Sequence, residues 1–348
     1  MKALVLTEYS HLELQDVAQP VPGRDEVLIR IAACGICGSD VHGYDGSSGR
    51  RIPPLVMGHE AAGTIAAAGK GVTAFHAGER VTFDSTVYCG ECRFCRQGTV
   101  NLCDRREVVG VACGEFRRPG AFAEYVTVPQ RIVYRLPDEL PFAEAAMLEA
   151  VSVALHAVRV SDLRGGETAL VLGAGMIGLL TMQAARAAGC ARILVADVDA
   201  TRLRLAESLG ATEVLELSGA NLVEEVRRRT DGGVDVAFEA VGRNETVQAA
   251  IESVRKGGKV ALIGNVTPTV TLPLQVVVSR ELRLQGTAAS AGEYPQAIAM
   301  LSRGAIQVKP LITAVAPLED GARWFERLYA HEPNLMKIVL TPQGENVQ

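Results

Sequence analysis

The stretch Leu170-Val171-Leu172-Gly173-Ala174-Gly175-Met176-Ile177-Gly178 constrains the chain more than any other. An apolar run ends in three glycines at G-x-G-x-x-G spacing and passes straight into a helical pattern, the context in which that spacing carries meaning. Gly173 suits a tight turn, Gly175 lets the backbone approach a pyrophosphate, and Gly178 lets helix and strand pack closely. The phosphates would meet the free N–H groups at the helix start, at Met176 and Ile177, where the dipole favours negative charge. Asp197 ends the next apolar run, 19 residues after Gly178. A carboxylate there accepts from ribose hydroxyls and repels a 2′-phosphate, favouring NAD over NADP; nearby Arg202 argues the other way, since an arginine accommodates that phosphate.

Around this motif, strand and helix patterns alternate. Strands are expected at Thr168–Leu172, Arg192–Asp197, near Val214, and at Val234–Glu239, Lys259–Gly264 and Leu282–Gly286. Helices are expected up to Ala188, up to Gly210, and at Asn221–Arg229 and Glu245–Lys256. The alternation predicts an α/β fold with a doubly wound parallel sheet. Upstream, Glu144–Val160 reads as one long helix. The first 140 residues carry strand patterns at Val27–Ile31, Glu79–Phe83 and Ala123–Val128, with no sustained helical period, and predict an antiparallel, barrel-like domain. After Ser290 a helix at Tyr294–Ser302 precedes a tail too short to fold alone, which is expected to rejoin the first domain. The chain therefore reads as a dinucleotide domain, 151–289, inserted in a mostly β domain, 1–150 with 290–348, with the active site in the cleft between them.

Cysteine usage points to metal. The apolar run Ala3–Leu6 is too short for a signal peptide and Ala169–Met182 too short for a membrane span, so a soluble intracellular protein is expected. A net charge of -5 without a block of like charge argues against nucleic acid or an acidic membrane as partner. Cys89-x2-Cys92-x2-Cys95-x7-Cys103 can close a tetrahedral zinc site with no open position, hence a structural one. Two alternatives stand beside it. A ferredoxin-type cluster has different spacing and a Pro after its last cysteine, where Asp104 stands here; a nucleic-acid zinc ribbon wants a basic surround. Cys37-Gly38-Ser39-Asp40-x-His42 and Gly58-His59-Glu60 are bland one residue at a time. Together they offer a cysteine, histidine and carboxylate set of the kind that holds a catalytic zinc with one position open. Cys34, Cys113 and Cys190 show no ligand spacing and read as packing residues.

These motifs, with Gly120-Ala121-Phe122-Ala123-Glu124-Tyr125, occur in one order along nearly the whole chain. In that order they resemble the zinc-containing medium-chain alcohol dehydrogenase family, in its sorbitol, threonine and galactitol-phosphate dehydrogenase-like branch. The resemblance implies a GroES-like catalytic domain around a Rossmann-type NAD-binding domain, with two zinc ions per chain. It implies that Cys37 and His59 ligate catalytic zinc, with Glu60 a nearby ligand or water-linked partner. Glu149 takes the place where the ethanol-oxidising branch has a cysteine ligand, and Ala150 stands where a Pro is usual in the polyol branch. The implied reaction is hydride transfer from a secondary alcohol, a polyol or sugar alcohol with or without phosphate, to NAD. Ser39 would take the hydroxyl proton, His42 would pass it on, and Asp40 would orient a zinc-bound histidine.

Ser85 replaces the aromatic residue that narrows the ethanol branch's pocket, which favours a hydroxylated substrate. Tyr44, Arg50, Arg51, Glu115 and Phe116 are expected in loops facing the cleft, with either arginine a phosphate clamp or an ordinary solvated side chain. The resemblance further implies a cytoplasmic homo-oligomer, dimer or tetramer, often joined through nucleotide-domain sheet edges. Two other readings remain: an L-threonine or vicinal-diol dehydrogenase of the same branch, and a catalytically silent NAD-binding regulatory protein. Loss of ligands or glycines would mark the latter, and none is lost.

Overall fold

The structure, a computed structural model, describes residues 1–112, 117–217 and 222–342. Cys113, Glu115, Phe116 and Asn221 lie outside the described residues. The chain forms two compact units. One comprises Met1–Glu149, Ser290–Ser302 and Val308–Gln348, the other Ala150–Ala289 and Arg303–Gln307.

The first unit is built around the strand Glu26–Gly35. It runs antiparallel to Glu60–Ala68 on one side. On the other it pairs with Tyr125–Pro129 along its first half and with Lys337–Thr341 at its end. Arg80–Phe83 and Val133–Arg135 extend the sheet one way, and Ile312–Pro317 extends it the other, parallel to Lys337–Thr341. The chain's last described strand thus closes on its third. Register shifts between Glu26–Gly35 and Glu60–Ala68 bend the sheet over a core that includes Ile29, Ile31, Phe83, Phe122, Phe325 and Leu340. Helices in this region are short, and the expected Glu144–Val160 helix is two, Phe142–Ala145 and Leu148–Val160. Local propensity does not announce that break. Ala146 and Met147 are buried to 1% and 0% exposure, and tertiary packing overrides the helical preference of the Ala-Ala-Met run.

The second unit holds a six-stranded parallel sheet. Its order is Glu213–Glu216, Arg192–Asp197, Thr168–Leu172, Val234–Glu239, Val254–Leu262, Arg283–Gly286. Strand order reverses between Thr168–Leu172 and Val234–Glu239, which places a topological switch point at the carboxyl end of Leu172. Two local expectations need correction. The helix expected to reach Lys256 stops at Ser253, because Val254 is fully buried and pairs with Val234 as the first residue of a strand. A helix at Leu274–Ser279 went unforeseen: its three consecutive valines argue for strand, but Pro273, with its fixed φ, leads it in. No helix among the described residues is long and apolar enough to cross a membrane.

The glycine loop shows why this architecture needs its sequence. Gly173 adopts φ +95, and a Cβ on Gly178 would fall 1.7 Å from the Gly173 carbonyl oxygen. Gly178→Ala must therefore push the helix off the strand. The expected cost is about 1–3 kcal/mol of overpacking, read as a lower midpoint in chemical denaturation together with weaker dinucleotide binding.

Candidate active site

Cys37 follows the central strand and caps the helix Gly38–Gly43, its Sγ accepting the Ser39 N–H at 3.4 Å. That six-residue helix carries three of the expected residues on different sides: Asp40 is fully buried, Ser39 and His42 are exposed. Gly58, at φ +92, turns the chain so that His59 and Glu60 enter the neighbouring strand buried. Ligand atoms of Cys37, His59 and Glu60 all lie within 4.8 Å of one another. Glu149, in the first turn of Leu148–Val160, is not part of that cluster. Its carboxyl is pushed up to about 7, chiefly by burial, with Glu60 adding to the shift and His59 opposing it.

Two buried cations hold this group together. Arg51 donates to Asp40 Oδ1 from Nε at 3.0 Å and from Nη2 at 2.8 Å, and its Nη2 also reaches Ser39 Oγ at 3.2 Å. Arg51 is 3% exposed, so it is neither a solvated side chain nor free to clamp a phosphate. Burial alone would raise the Asp40 carboxyl; His59 and Arg51 overcome it and hold the group below its ordinary range. His59 Nδ1 stands 3.4 Å from Asp40 Oδ1, an ion-pair separation rather than a formed hydrogen bond, and Nδ1 is buried without a hydrogen-bond partner. Lys337, from the closing strand, pairs with Glu60 Oε2. Burial would lower the Lys337 ammonium, but Glu60 and Cys37 raise it.

The donor set fits zinc. It combines a thiolate, an imidazole and a carboxylate, and Glu60 Oε1 is buried with no hydrogen-bond partner. Ser39 Oγ donates to Cys37 Sγ at 3.2 Å while accepting from Arg51, so one lone pair stays available on an exposed side chain. Tyr44 is not a pocket residue: it is 4% exposed, donates to the Ser10 carbonyl at 2.6 Å and packs on Phe325 and Tyr329. Arg50 is exposed. Ser85 is buried beside Asp84, which accepts from Thr86 N–H at 2.8 Å and from Ser290 Oγ at 3.2 Å; burial pushes the Asp84 carboxyl up to about 6.

Cys89, Cys92, Cys95 and Cys103 also bring their sulfurs within 4.8 Å of one another. Sulfur pairs stand 3.5 Å (Cys92–Cys95), 3.9 Å (Cys89–Cys95) and 3.9 Å (Cys92–Cys103) apart. Four thiolates at ≈ 2.3 Å from a tetrahedral centre would stand about 3.8 Å apart, so the lobe has the dimensions of a zinc site closed by four cysteines. Backbone N–H groups of Glu91 and Cys92 hold the Cys89 thiol low, at about 6.

At the glycine loop nothing lies within 4 Å of a Cβ built on Gly175, so the space a phosphate would need is open. Gly175 caps the helix Met176–Ala187, whose first N–H groups, including those of Met176 and Ile177, lack intrahelical acceptors. Asp197 is 7% exposed, and each oxygen is anchored, Oδ2 by Ala174 N–H at 2.6 Å and Oδ1 by Asp199 N–H at 2.9 Å. Arg202 lies 3.6 Å from Asp199. The sequence reading missed Lys337 and Glu239. Glu239 is fully buried at the end of its strand and accepts from Val241 N–H, Gly242 N–H and the Thr246 hydroxyl, fixing the loop that packs over Gly173. A carboxylate closing an apolar strand beside the switch point was the only available signal for it.

Residues 23–138 match the family described as Alcohol dehydrogenase GroES-like domain, and residues 177–303 match Zinc-binding dehydrogenase. A sorbitol dehydrogenase of Bacillus subtilis (strain 168) is 35% identical over 348 residues, covering 98% of this chain and 97% of that one. The crystal structure of galactitol-1-phosphate dehydrogenase from Escherichia coli superposes with a TM-score of 0.90 at 27% identity, covering 98% of this chain and 100% of that one. A structure of a zinc-binding dehydrogenase candidate from Sinorhizobium meliloti 1021, bound to NADP, gives 0.90 at 32% identity over 98% and 99%. The chain belongs to the zinc-type alcohol dehydrogenase family: it is an oxidoreductase with a GroES-like and a Rossmann-type domain.

The Arg51–Asp40 pair gives a direct test of the site's construction. Arg51→Met should cost about 3–5 kcal/mol, because it strands a buried carboxylate. Arg51→Met with Asp40→Asn, which removes both charges, should regain most of that loss in chemical denaturation.

Proposed function

We propose that this protein is an NAD-dependent zinc dehydrogenase that oxidises a secondary alcohol of the polyol or sugar-alcohol class to a ketone. The carrying observation is the cluster of half-buried Cys37 with buried His59 and Glu60, in which Glu60 Oε1 is unpartnered. Cys37, His59 and Glu60 would hold the catalytic zinc, with Glu149 in reserve nearby, and Cys89, Cys92, Cys95 and Cys103 a second, structural zinc. Zinc at the first site would acidify an alcohol hydroxyl, and the nicotinamide would accept the hydride from the carbinol carbon. The chain's own residues do the rest. Asp40, an ion-pair distance from His59 Nδ1, would orient the His59 ring. Ser39 would relay the substrate hydroxyl's proton, accepting it on its remaining lone pair while giving up its own, and exposed His42, on the same helix, would carry a proton to solvent. Gly173, Gly175, Met176, Ile177 and Gly178 cradle the pyrophosphate.

Support for a hydroxylated substrate comes from the small, polar Ser85 with its buried polar neighbours Asp84 and Ser290 and from relatives named for sorbitol and galactitol 1-phosphate. We assign the unit of Met1–Glu149, Ser290–Ser302 and Val308–Gln348 as the catalytic domain and that of Ala150–Ala289 with Arg303–Gln307 as the NAD domain, which moves Ala150 and Arg303–Gln307 from the expected boundaries of 1–150 with 290–348 and 151–289. The described cysteines are free thiols, which suits a reducing cytoplasm. A second copy of the chain would cover the open edge strand Arg283–Gly286 and its exposed apolar neighbours Leu274 and Val278, giving a dimer or a tetramer built from dimers.

The deciding assay follows reduction of NAD and NADP across polyols, polyol phosphates, vicinal diols and L-threonine, before and after chelation. NADH formation with a polyol that is lost on stripping and restored by zinc is the expected outcome. Turnover confined to L-threonine or diols would move the substrate class, and no turnover by fully zinc-loaded protein would favour a silent nucleotide binder. Asp197→Asn removes the charge but keeps an oxygen for a backbone N–H. The NAD-over-NADP preference in kcat/KM should fall by about tenfold or more, since like charges facing each other cost several kcal/mol; an unchanged ratio would remove Asp197 from the selectivity argument.

A further inference from the structure

Three adjacent strands converge on one point. Gly35, two residues before Cys37, is in register with Glu60 on one side and with Val339 on the other. Glu60 and Lys337 therefore reach toward each other across Gly35. Both are buried, at 0% and 1% exposure. Lys337 Nζ pairs with Glu60 Oε2 and donates to the Ile36 carbonyl at 2.9 Å, which pins the ammonium beside the residue that precedes Cys37. A Cβ at Gly35 would fall 2.4 Å from Glu60 Oε2 and 3.3 Å from Lys337 Cδ, so the pair exists because that position has no side chain. Glu60 Oε1 is left without a partner in the cluster with Cys37 and His59.

We propose that Lys337 is a positioning residue that tethers Glu60 by one oxygen, makes it a weak and releasable metal ligand, and so keeps a coordination position open for the alcohol. The inference rests on the reading of Cys37, His59 and Glu60 as a zinc site. An ammonium is a compact point charge, and here it engages one carboxylate oxygen, where a guanidinium fork would take both. At this burial the attraction is little screened, so the pair withdraws donor strength from Glu60. Without the ammonium, the metal becomes the strongest cationic partner left to Glu60, and the carboxylate would close on it. A residue that merely supports the fold behaves differently: its loss lowers metal affinity and turnover together. Loss of the tether raises affinity while lowering turnover.

The experiment compares wild type, Lys337→Met, Glu60→Gln and the double variant, each as the full chain. Zinc affinity at the Cys37 site is read by chelator competition, coordination by the visible spectrum of cobalt placed in that site, and kcat with the alcohol selected above. Lys337→Met is expected to bind zinc about tenfold tighter, the scale on which residues behind the ligands move metal affinity. Its cobalt bands should weaken toward those of a higher coordination number, and kcat should fall. The double variant, with no buried charge left unpaired, should match Glu60→Gln. Should Lys337→Met not fold, Lys337→Arg carries the test: its fork should occupy both Glu60 oxygens, so zinc binding weakens while the cobalt spectrum stays four-coordinate. Zinc affinity unchanged or lowered in folded Lys337→Met, or unchanged in Lys337→Arg, would overturn the tether and leave the zinc reading standing. Wild type that takes up no metal at Cys37 and His59 would overturn both.

Discussion

Negative charge gathered in a buried pocket is the constraint on which the catalytic unit depends. Asp40 and Glu60 are fully buried, the Cys37 sulfur lies beside them, and Glu149 is close enough for Glu60 to disfavour its ionisation. At low dielectric such charges repel strongly unless each has a partner. Arg51 answers Asp40 and Lys337 answers Glu60, and what remains between Cys37, His59 and the free oxygen of Glu60 is a demand that a divalent cation meets. The balance also explains the chain's path. Lys337 lies 277 residues beyond Glu60, so the pocket is complete only when the last described strand has docked on the central one. Metal affinity and completion of this sheet are then parts of one folding event.

The nucleotide unit handles buried acid in the opposite way. Asp197 and Glu239 are held by backbone N–H groups and a hydroxyl rather than by cations. Such bonds anchor a carboxylate but leave its charge in place. In the first unit a surplus anion would compete with substrate for the metal, so neutralisation serves the chemistry. At the end of the Arg192–Asp197 strand an anion would have a use under the proposed function, because it would discriminate against a second phosphate while still accepting from hydroxyl groups.

How much of this was legible in the sequence follows the range of the interactions. The parallel sheet could be read almost strand for strand, since Thr168–Leu172, Arg192–Asp197 and Val234–Glu239 announce themselves by short apolar runs and the glycines between them. The same holds for the four cysteines, whose ligand spacing is local. Reading failed where the determinant is distant. Nothing near Ala146 says that packing breaks the helix there, and three valines at 276–278 favour a strand that the proline before them and the surrounding sheet deny. Arg51 reads as a loop arginine until Asp40 is found eleven positions upstream in the same buried pocket. Lys337 carries no motif; its role exists only through the register Glu60–Gly35–Val339. The Cys37–His59–Glu60 and four-cysteine groupings were legible because their chemistry is specific, and their neighbours were not because any residue of suitable charge could serve.

Arg51 shows why those supports matter for mechanism. Its Nη2 is shared between Asp40, which lies 3.4 Å from His59 Nδ1, and Ser39, the proposed proton relay. Ser39 in turn directs its own proton at Cys37 Sγ. Under the proposed function, metal ligation and proton removal would therefore share one set of hydrogen bonds that joins Cys37, Ser39 and Asp40 through Arg51. Substitutions within it are not independent: a change at Ser39 frees a donor that Asp40 then competes for, and a change at Asp40 releases the guanidinium toward Ser39. Residues that share a partner in this way couple, and their effects on binding and turnover combine non-additively. The site is better understood as one charge-balanced network than as three metal ligands with a separate proton path.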